Sequence, residues 1–208
     1  MSDNQSLDSV LYVSRDKLNT YFRLSLINGL VFTLCYGAAN YYGTQINEHY
    51  SFYFSWESKI PFYPTWIYIY LSIFIWFLTP LYLLETASLS KLSRCFLITT
   101  VVACICFFIF PSESSFDRSR HEYGGHLIFN LVYFLDQPHN LLPSLHVSYV
   151  VLFLLIFRQE KVRILPVLYF WGFAMTLSVL LAHQHHIMDI IAGSLLGAFV
   201  YGRFYKFV

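Results

Sequence analysis

Charged side chains are scarce in this sequence. Only 12% of its 208 residues are Asp, Glu, Lys or Arg, against about 25% in a typical soluble domain. Hydrophobic residues make up 57% and aromatic residues 20%, so the chain lacks the polar surface that a large soluble domain needs. The composition indicates a multi-pass membrane protein whose surroundings are a lipid bilayer.

Two further features that would indicate a partner or a site are missing. The net charge is +1 and no basic tract is present, so the sequence gives no reason to expect nucleic acid as a partner. None of the cysteines has the spacing of a zinc site or lies in a loop suited to a disulfide framework. They are Cys35, Cys95, Cys104 and Cys106, and we interpret them as small hydrophobic residues.

Long apolar runs are abundant, and six approach the 17 to 25 residues, roughly, that cross a bilayer. They cover residues 24–42, 66–84, 95–110, 144–157, 164–182 and 187–201. The sequence therefore predicts an all-α, polytopic membrane protein with six transmembrane helices. We expect two parts, an N-terminal segment at 1–23 and a membrane-embedded domain at 24–208.

The basic residues predict the orientation of these helices. With the N-terminus in the cytoplasm, ten of the thirteen fall on the inner side: Arg15, Lys17, Arg23, Lys91, Arg94, Arg158, Lys161, Arg163, Arg203 and Lys206. The other three, Lys59, Arg118 and Arg120, fall outside. Both termini are thus expected in the cytoplasm and the membrane is expected to be the cell (inner) membrane. The outer side receives the long loop 111–143, with an amphipathic piece at 127–135, and a short HQHH turn.

The HQHH turn belongs to the stretch LAHQHHIMDIIAG, residues 181–193. His185 and Asp189 are four residues apart, so on a helix they lie on one face. A carboxylate there can accept the imidazole N–H, fix the tautomer and leave the other nitrogen as a base or nucleophile. The alternative is a polar pair that only satisfies itself at a helix end.

A second polar stretch, DQPHNLLPSLHVSY, begins the fourth apolar run. Pro143 cannot continue a preceding helix and Ser144 is a favourable N-cap, so a helix is predicted to start here with His146 in its first turn. Its N-terminus would be an anion site on the outer side. Alone, this pattern also fits a capped helix with an interfacial histidine.

The third element is Arg118, in the outer-loop stretch FPSESSFDRSR. An arginine there is commonly a solvated loop charge, although its planar donors suit phosphate oxygens. The predicted topology places Arg118, His146, His185 and Asp189 at the same outer edge of the membrane. Together with the helix N-terminus, they provide the groups for phosphoryl transfer: a nucleophile, its orienting carboxylate, a proton donor and an electrostatic clamp.

These residues resemble the motifs of the phosphatidic acid phosphatase type 2 superfamily, which comprises membrane lipid phosphatases and phosphotransferases. Its second motif, P-S-G-H, reads P-S-L-H at residues 143–146. Its third, S-R-x5-H-x3-D, reads Ser178, then Val179 in place of arginine, then His185 and Asp189.

The first motif of that superfamily, K-x6-R-P, is reduced to Arg118. Pro111 stands where the lysine would be and Ser119 where the proline would be. With the P-S-L-H form and the Gln-His-His before the aspartate, this looks like the branch containing inositol phosphorylceramide synthase and its bacterial relatives. The resemblance covers the region from about Phe110 to Gly197 well.

The resemblance implies a role for each matching residue. His185 would attack phosphorus and form a phosphohistidine, with Asp189 holding the ring. His146 would protonate the leaving alkoxide and later activate water or an alcohol, while Arg118 and the Ser144 region would bind phosphate oxygens. The family works without a metal, so no cofactor is expected, and no carboxylate cluster suited to magnesium is evident.

His183 is assigned as a further phosphate-binding residue, because it could replace part of the charge of the missing arginine. Two alternatives to the enzyme hypothesis are also open. The three imidazoles of HQHH could bind a metal, although on a helix they point in different directions. The protein could also be a non-catalytic membrane scaffold.

Phosphatase and phosphotransferase share every residue named so far, and they differ in whether water or a hydroxyl acceptor resolves the phosphohistidine. We expect hydrolysis of a membrane lipid phosphate facing the periplasm, because no soluble domain is present to bind a polar acceptor. The spacing Gly193-x3-Gly197 is interpreted as a helix-packing contact. The lipid itself and the oligomeric state are left open.

Overall fold

All regular secondary structure in the computed structural model is helical over the residues that it describes, 13–116, 127–135 and 137–206. The α-helices, numbered in chain order, are α1 Arg15–Gln45, α2 Trp66–Leu71, α3 Ile73–Leu83, α4 Thr86–Ile109, α5 Leu127–Leu135, α6 Leu145–Gln159, α7 Leu165–Leu181 and α8 Ile187–Val200. A 3₁₀ turn covers Ser55–Lys59 and a π-helical turn, Tyr201–Tyr205, continues α8. The all-α class is confirmed for these ranges.

Five of the six apolar runs each lie in one helix, and the run 66–84 covers α2 and α3. Four helical segments in the described ranges are long and apolar enough to cross a membrane: Arg15–Gln45, Trp66–Leu83, Thr86–Ile109 and Ile187–Tyr205. Two apolar helices, α6 and α7, are shorter than that criterion, at 15 and 17 residues. That the chain has six transmembrane helices, and that both termini lie in the cytoplasm, stay predictions.

The helices α1 and α4 begin well before the apolar runs that predicted them. Ser14 caps α1 by accepting the N–H of Lys17 at 3.2 Å, so the division between residues 23 and 24 falls inside this helix. In α4, Leu89, Leu92 and Ser93 are buried, because the first turns pack against neighbours although they precede the apolar run.

The helix α6 is the centre of the core. Its residues Leu152, Phe153, Ile156 and Phe157 are completely buried, and α6 packs against α3, α4, α7 and α8. The long helix α1 packs on α4 at the periphery and turns a strongly apolar side outward, including Leu26 and Leu34. An apolar exterior of this kind suits contact with lipid chains.

Helix α8 approaches α6 closely through two glycines, which confirms the packing interpretation of Gly193-x3-Gly197. A Cβ atom added at Gly193 would lie 2.4 Å from the carbonyl oxygen of Ser144, and one at Gly197 would lie 2.5 Å from that of Ser148. At the same level, Ser144 donates its N–H to the carbonyl oxygen of Asp189 at 3.0 Å. The close approach at the two glycines therefore allows the start of α6 to bond to the first turn of α8.

Candidate active site

The HQHH turn is the C-terminal cap of α7 and does not belong to a helix. Val179, at the position of the missing motif arginine, accepts the N–H groups of Gln184 at 2.8 Å and His185 at 3.0 Å. His183 donates its N–H to Leu180 at 3.1 Å and has a φ of 53°. This is the Schellman arrangement, with histidine at the left-handed position where glycine is commonest.

His185 and Asp189 are paired as the spacing predicts, although His185 lies just before α8. Nδ1 of His185 is 3.5 Å from Oδ2 of Asp189, and the two residues are 7% and 1% exposed. Asp189 also accepts the N–H of His186 at 2.8 Å, which caps the first turn of α8. The carboxylate therefore faces one ring nitrogen of His185 and leaves Nε2 for chemistry.

His146 lies in the first turn of α6, as predicted. The hydroxyl of Ser144 accepts the N–H of Val147 at 3.3 Å and so caps this helix. The ring of His146 stacks on Tyr70 of α2, with 4.2 Å between centroids and 16° between planes. Its Nε2 is enclosed and has no hydrogen-bond partner among the described residues, and the ring is close enough to His185 to interact electrostatically.

The two predicted phosphate contacts in the described ranges are held by neighbouring groups. Ser144 is fully buried, and its hydroxyl is engaged as the helix cap. His183 donates from Nε2 to the carbonyl oxygen of Ile60 at 3.0 Å and stacks on Phe116 at 3.9 Å. Nε2 of His183 is thus bonded to the backbone, the Ser144 hydroxyl is an acceptor in the helix cap, and both phosphate-binding roles stay predictions.

A family model described as the PAP2 superfamily matches residues 43–202, which is most of the chain. This chain belongs to the PAP2 superfamily. Its members are generally phosphoesterases acting on lipid-like substrates, and with the apolar helices this identifies a membrane protein. No curated protein and no solved structure matches the chain.

The one residue that matches the first PAP2 motif, Arg118, falls outside the part of the chain that the structure describes. Arg118 and Arg120 lie in the stretch 117–126, beyond the described residues, so the phosphate-binding role of Arg118 stays a prediction. Phe116, two residues before Arg118 in the sequence, is described. Its ring lies between His183 and His186, at 3.9 Å and 4.3 Å between centroids.

The PAP2 motifs do not include Glu57, which the sequence analysis missed. It lies in the 3₁₀ turn after α1 and is fully buried. Its Oε2 accepts Nδ1–H of His186 at 3.0 Å and the N–H of Ile187 at 3.0 Å, and its Oε1 accepts the N–H of Phe54 at 2.9 Å. Nothing in the spacing of residues 46–65 distinguishes Glu57 from Glu48, so only the three-dimensional contact identifies it.

His186, the N-cap residue of α8, is neutral in this arrangement. Its Nε2 accepts the N–H of Ser115 at 3.2 Å and faces the hydroxyl of Ser114 at 3.3 Å. Burial lowers the pKa of the imidazole, against the opposing influence of Asp189 and Glu57. Because Nε2 accepts and Nδ1 donates, His186 is the Nδ1–H tautomer.

Over the ranges 13–116, 127–135 and 137–206, no group of three or more His, Cys, Asp and Glu side chains is placed to hold a metal ion. What the structure does bring together is His146, His185 and Asp189, with the capped N-terminus of α6 beside them. Such a set can attack phosphorus, orient the attacking ring and transfer a proton.

Proposed function

We propose that this PAP2 superfamily member is an integral-membrane lipid phosphatase. It removes phosphate from a phospholipid or an isoprenoid (di)phosphate at the extracytoplasmic face, through a phosphohistidine. The observation that carries the proposal is the buried pair in which Nδ1 of His185 lies 3.5 Å from Oδ2 of Asp189, with His146 beside it.

In the first step, Nε2 of His185 attacks phosphorus while the bond from phosphorus to the leaving oxygen breaks. Asp189 holds Nδ1–H and stabilises the positive charge that develops on the ring. His146 gives a proton to the leaving oxygen, so that lipid alcohol or lipid monophosphate departs. The enclosed Nε2 of His146, unpaired among the described residues, is the atom suited to this transfer.

In the second step, water attacks the phosphohistidine. His146, now neutral, takes a proton from the water as the N–P bond breaks, and inorganic phosphate leaves. The backbone N–H groups at the start of α6, with the positive end of the helix dipole, supply part of the charge stabilisation. Arg118 and His183 are proposed as further phosphate contacts.

A phosphotransferase of the inositol phosphorylceramide synthase type is the second candidate, and it uses the same residues. In that reaction a hydroxyl acceptor resolves the phosphohistidine in place of water.

The test of the mechanism is replacement of the nucleophile. His185→Ala should abolish phosphate release from lipid substrates while the detergent-purified protein stays folded, since loss of a nucleophile costs several orders of magnitude in rate. His49→Ala is the matched control, because His49 is an outer histidine that bonds to Gly43 and stacks on His139. A tenth of wild-type turnover in His185→Ala would exclude the phosphohistidine.

The test of hydrolysis against transfer uses labelled phospholipids and isoprenoid diphosphates, each alone and with candidate hydroxyl acceptors. We expect inorganic phosphate without any acceptor and no effect of a chelator. If label leaves the lipid only when an acceptor is present, and is recovered on that acceptor, the phosphotransferase replaces the phosphatase.

A further inference from the structure

The proposed reaction gives no role to Glu57 and His186, yet these two residues join three parts of the protein. Glu57 comes from the segment between α1 and α2, and His186 begins α8. Through its Nε2, His186 also contacts Ser114 and Ser115, in the segment after α4. The imidazole of His186 thus bonds both to the segment between α1 and α2 and to the segment after α4.

His186 is bonded directly to Asp189 of the proposed catalytic pair. The backbone N–H of His186 donates to Oδ2 of Asp189 at 2.8 Å, and that same oxygen faces His185. Glu57 fixes His186 from the other side, through Nδ1, and also holds the N–H of Ile187 in the first turn of α8. The position of Asp189 relative to His185 therefore depends on where Glu57 holds the start of α8.

Burying the carboxylate of Glu57 costs free energy, and a contact that only held a loop in place would not require it. A buried carboxylate loses its hydration and is tolerated only when its lone pairs are satisfied. Glu57 is fully buried and accepts three hydrogen bonds, two of them from His186 and Ile187. Its charge also lies at the N-terminus of α8, where the helix dipole favours an anion.

We propose that Glu57 is a positioning residue for the reaction. Acting through His186 and Ile187, it fixes the first turn of α8 and thereby the approach of Asp189 to Nδ1 of His185. This inference rests on the proposed function. Glu57 is fully enclosed and acts only through other residues, so its loss should lower kcat and leave KM nearly unchanged.

The experiment compares Glu57→Ala and Glu57→Gln with Glu113→Gln. Glu113 is an exposed outer glutamate that accepts a hydrogen bond from Ser51, so its variant removes the same charge from the same side. Removing a residue that acts only through another residue, as the outer partners of metal ligands do, typically costs about 10- to 100-fold. We expect Glu57→Ala to lower kcat by about 100-fold and Glu57→Gln, which keeps one acceptor oxygen, by about tenfold. Glu113→Gln should match the wild type.

A second readout does not depend on turnover. Nitrogen NMR of the protein labelled at histidine should show His186 protonated on Nδ1 in the wild type and in Glu113→Gln. In Glu57→Ala the His186 signals should change, because Nδ1–H loses its acceptor, and the His185 signals should shift as well, because Asp189 has moved. If the wild type hydrolyses no lipid phosphate, the proposed function fails, and the His185 signals still decide the positioning role.

Wild-type kcat in Glu57→Ala, or His185 signals that do not respond to it, would overturn the inference. A lower yield of folded protein with unchanged kcat per folded molecule would also overturn it, since Glu57 would then be structural alone. If Glu57→Ala does not fold, Glu57→Gln decides: a reduced kcat at unchanged KM supports the inference, and wild-type kinetics contradict it.

Discussion

At Asp189 one carboxylate oxygen, Oδ2, accepts the N–H of His186 at 2.8 Å and lies 3.5 Å from Nδ1 of His185. The first contact caps α8, and the second orients the proposed nucleophile. Because the two contacts have different chemical requirements, substitution can separate them. An amide oxygen can still cap the helix, but it carries no charge with which to stabilise a cationic ring.

We expect Asp189→Asn to keep its thermal stability and to lose phosphatase rate by a factor of about 10² to 10⁴, the range in which loss of an orienting carboxylate falls. Asp189→Ala should lose the rate and also about 1 kcal/mol of stability with the cap. Melting curves and single-turnover kinetics on both variants check this. Equal stability losses in the two variants would show that an amide oxygen does not replace the carboxylate in the cap.

His183 combines a left-handed backbone conformation with a predicted phosphate contact. Different substitutions can change one of these two properties without the other. Asparagine tolerates a φ of 53° far better than alanine does. We expect His183→Asn to fold normally with a raised KM, and His183→Ala to be less stable than His183→Asn by a fraction of the roughly 1 to 2 kcal/mol that a Cβ atom costs in this conformation. An unchanged KM in folded His183→Asn would remove His183 from the phosphate site.

At the scale of the elements, the contact between α6 and α8 assembles the candidate site. Neither helix carries a complete set of groups, since His146 lies on one and Asp189 on the other. Their close approach at Gly193 and Gly197 leaves no space for a Cβ atom, because backbone carbonyl oxygens stand 2.4 and 2.5 Å from where it would be. A carbonyl in a helix cannot turn aside as a flexible side chain can.

Gly193→Ala and Gly197→Ala should therefore separate the helices and cost about 1 to 3 kcal/mol each, in the range for overpacked cores. Gly193→Ala should lower activity more, because Ser144 at its contact also bonds to Asp189. Gly29→Ala is the control: nothing lies within 4 Å of its Cβ position, and alanine there should stabilise α1 by up to about 1 kcal/mol. Thermal unfolding in detergent, with activity per folded molecule, separates these outcomes.

At the scale of the whole molecule, the central helix is too short to cross the bilayer alone. Its 15 residues span about 22 Å, against about 30 Å of hydrocarbon. Irregular backbone at that depth must be enclosed by protein, and Asn140, Leu141, Pro143 and Ser144, which lead into α6, are all buried. The chain that leads into α6 is thus surrounded by protein, and His146 in the first turn is half-buried.

The predicted topology is tested by cysteine labelling in a chain whose four native cysteines have been replaced. Asn47→Cys lies in the segment after α1 and Ser90→Cys in α4 near Lys91, and both positions are exposed. A cysteine at Gln184 in the HQHH turn would not be suitable, because that position is only 2% exposed and the reagent could not reach it. An impermeant maleimide should label Asn47→Cys in intact cells, and Ser90→Cys only after permeabilisation. The reverse pattern would place the site on the cytoplasmic side.

The sequence alone determined the all-helical class, the places of the apolar helices, the N-cap at Ser144 and the pairing of His185 with Asp189. Each of these depends on residues within a few positions of one another, where helix periodicity and capping rules apply. It also pointed to the PAP2 superfamily through two short motifs.

The tertiary structure alone decided what surrounds those motifs. Glu57 and His186 are 129 residues apart in sequence, and nothing in the spacing of their neighbours relates them. His183 is predicted to contact phosphate, and no local pattern indicated that it also holds the left-handed position of a helix cap, with Nε2 bonded to Ile60. Contacts of this kind depend on how whole helices pack, which is determined by the sum of many weak interactions and not by any local pattern.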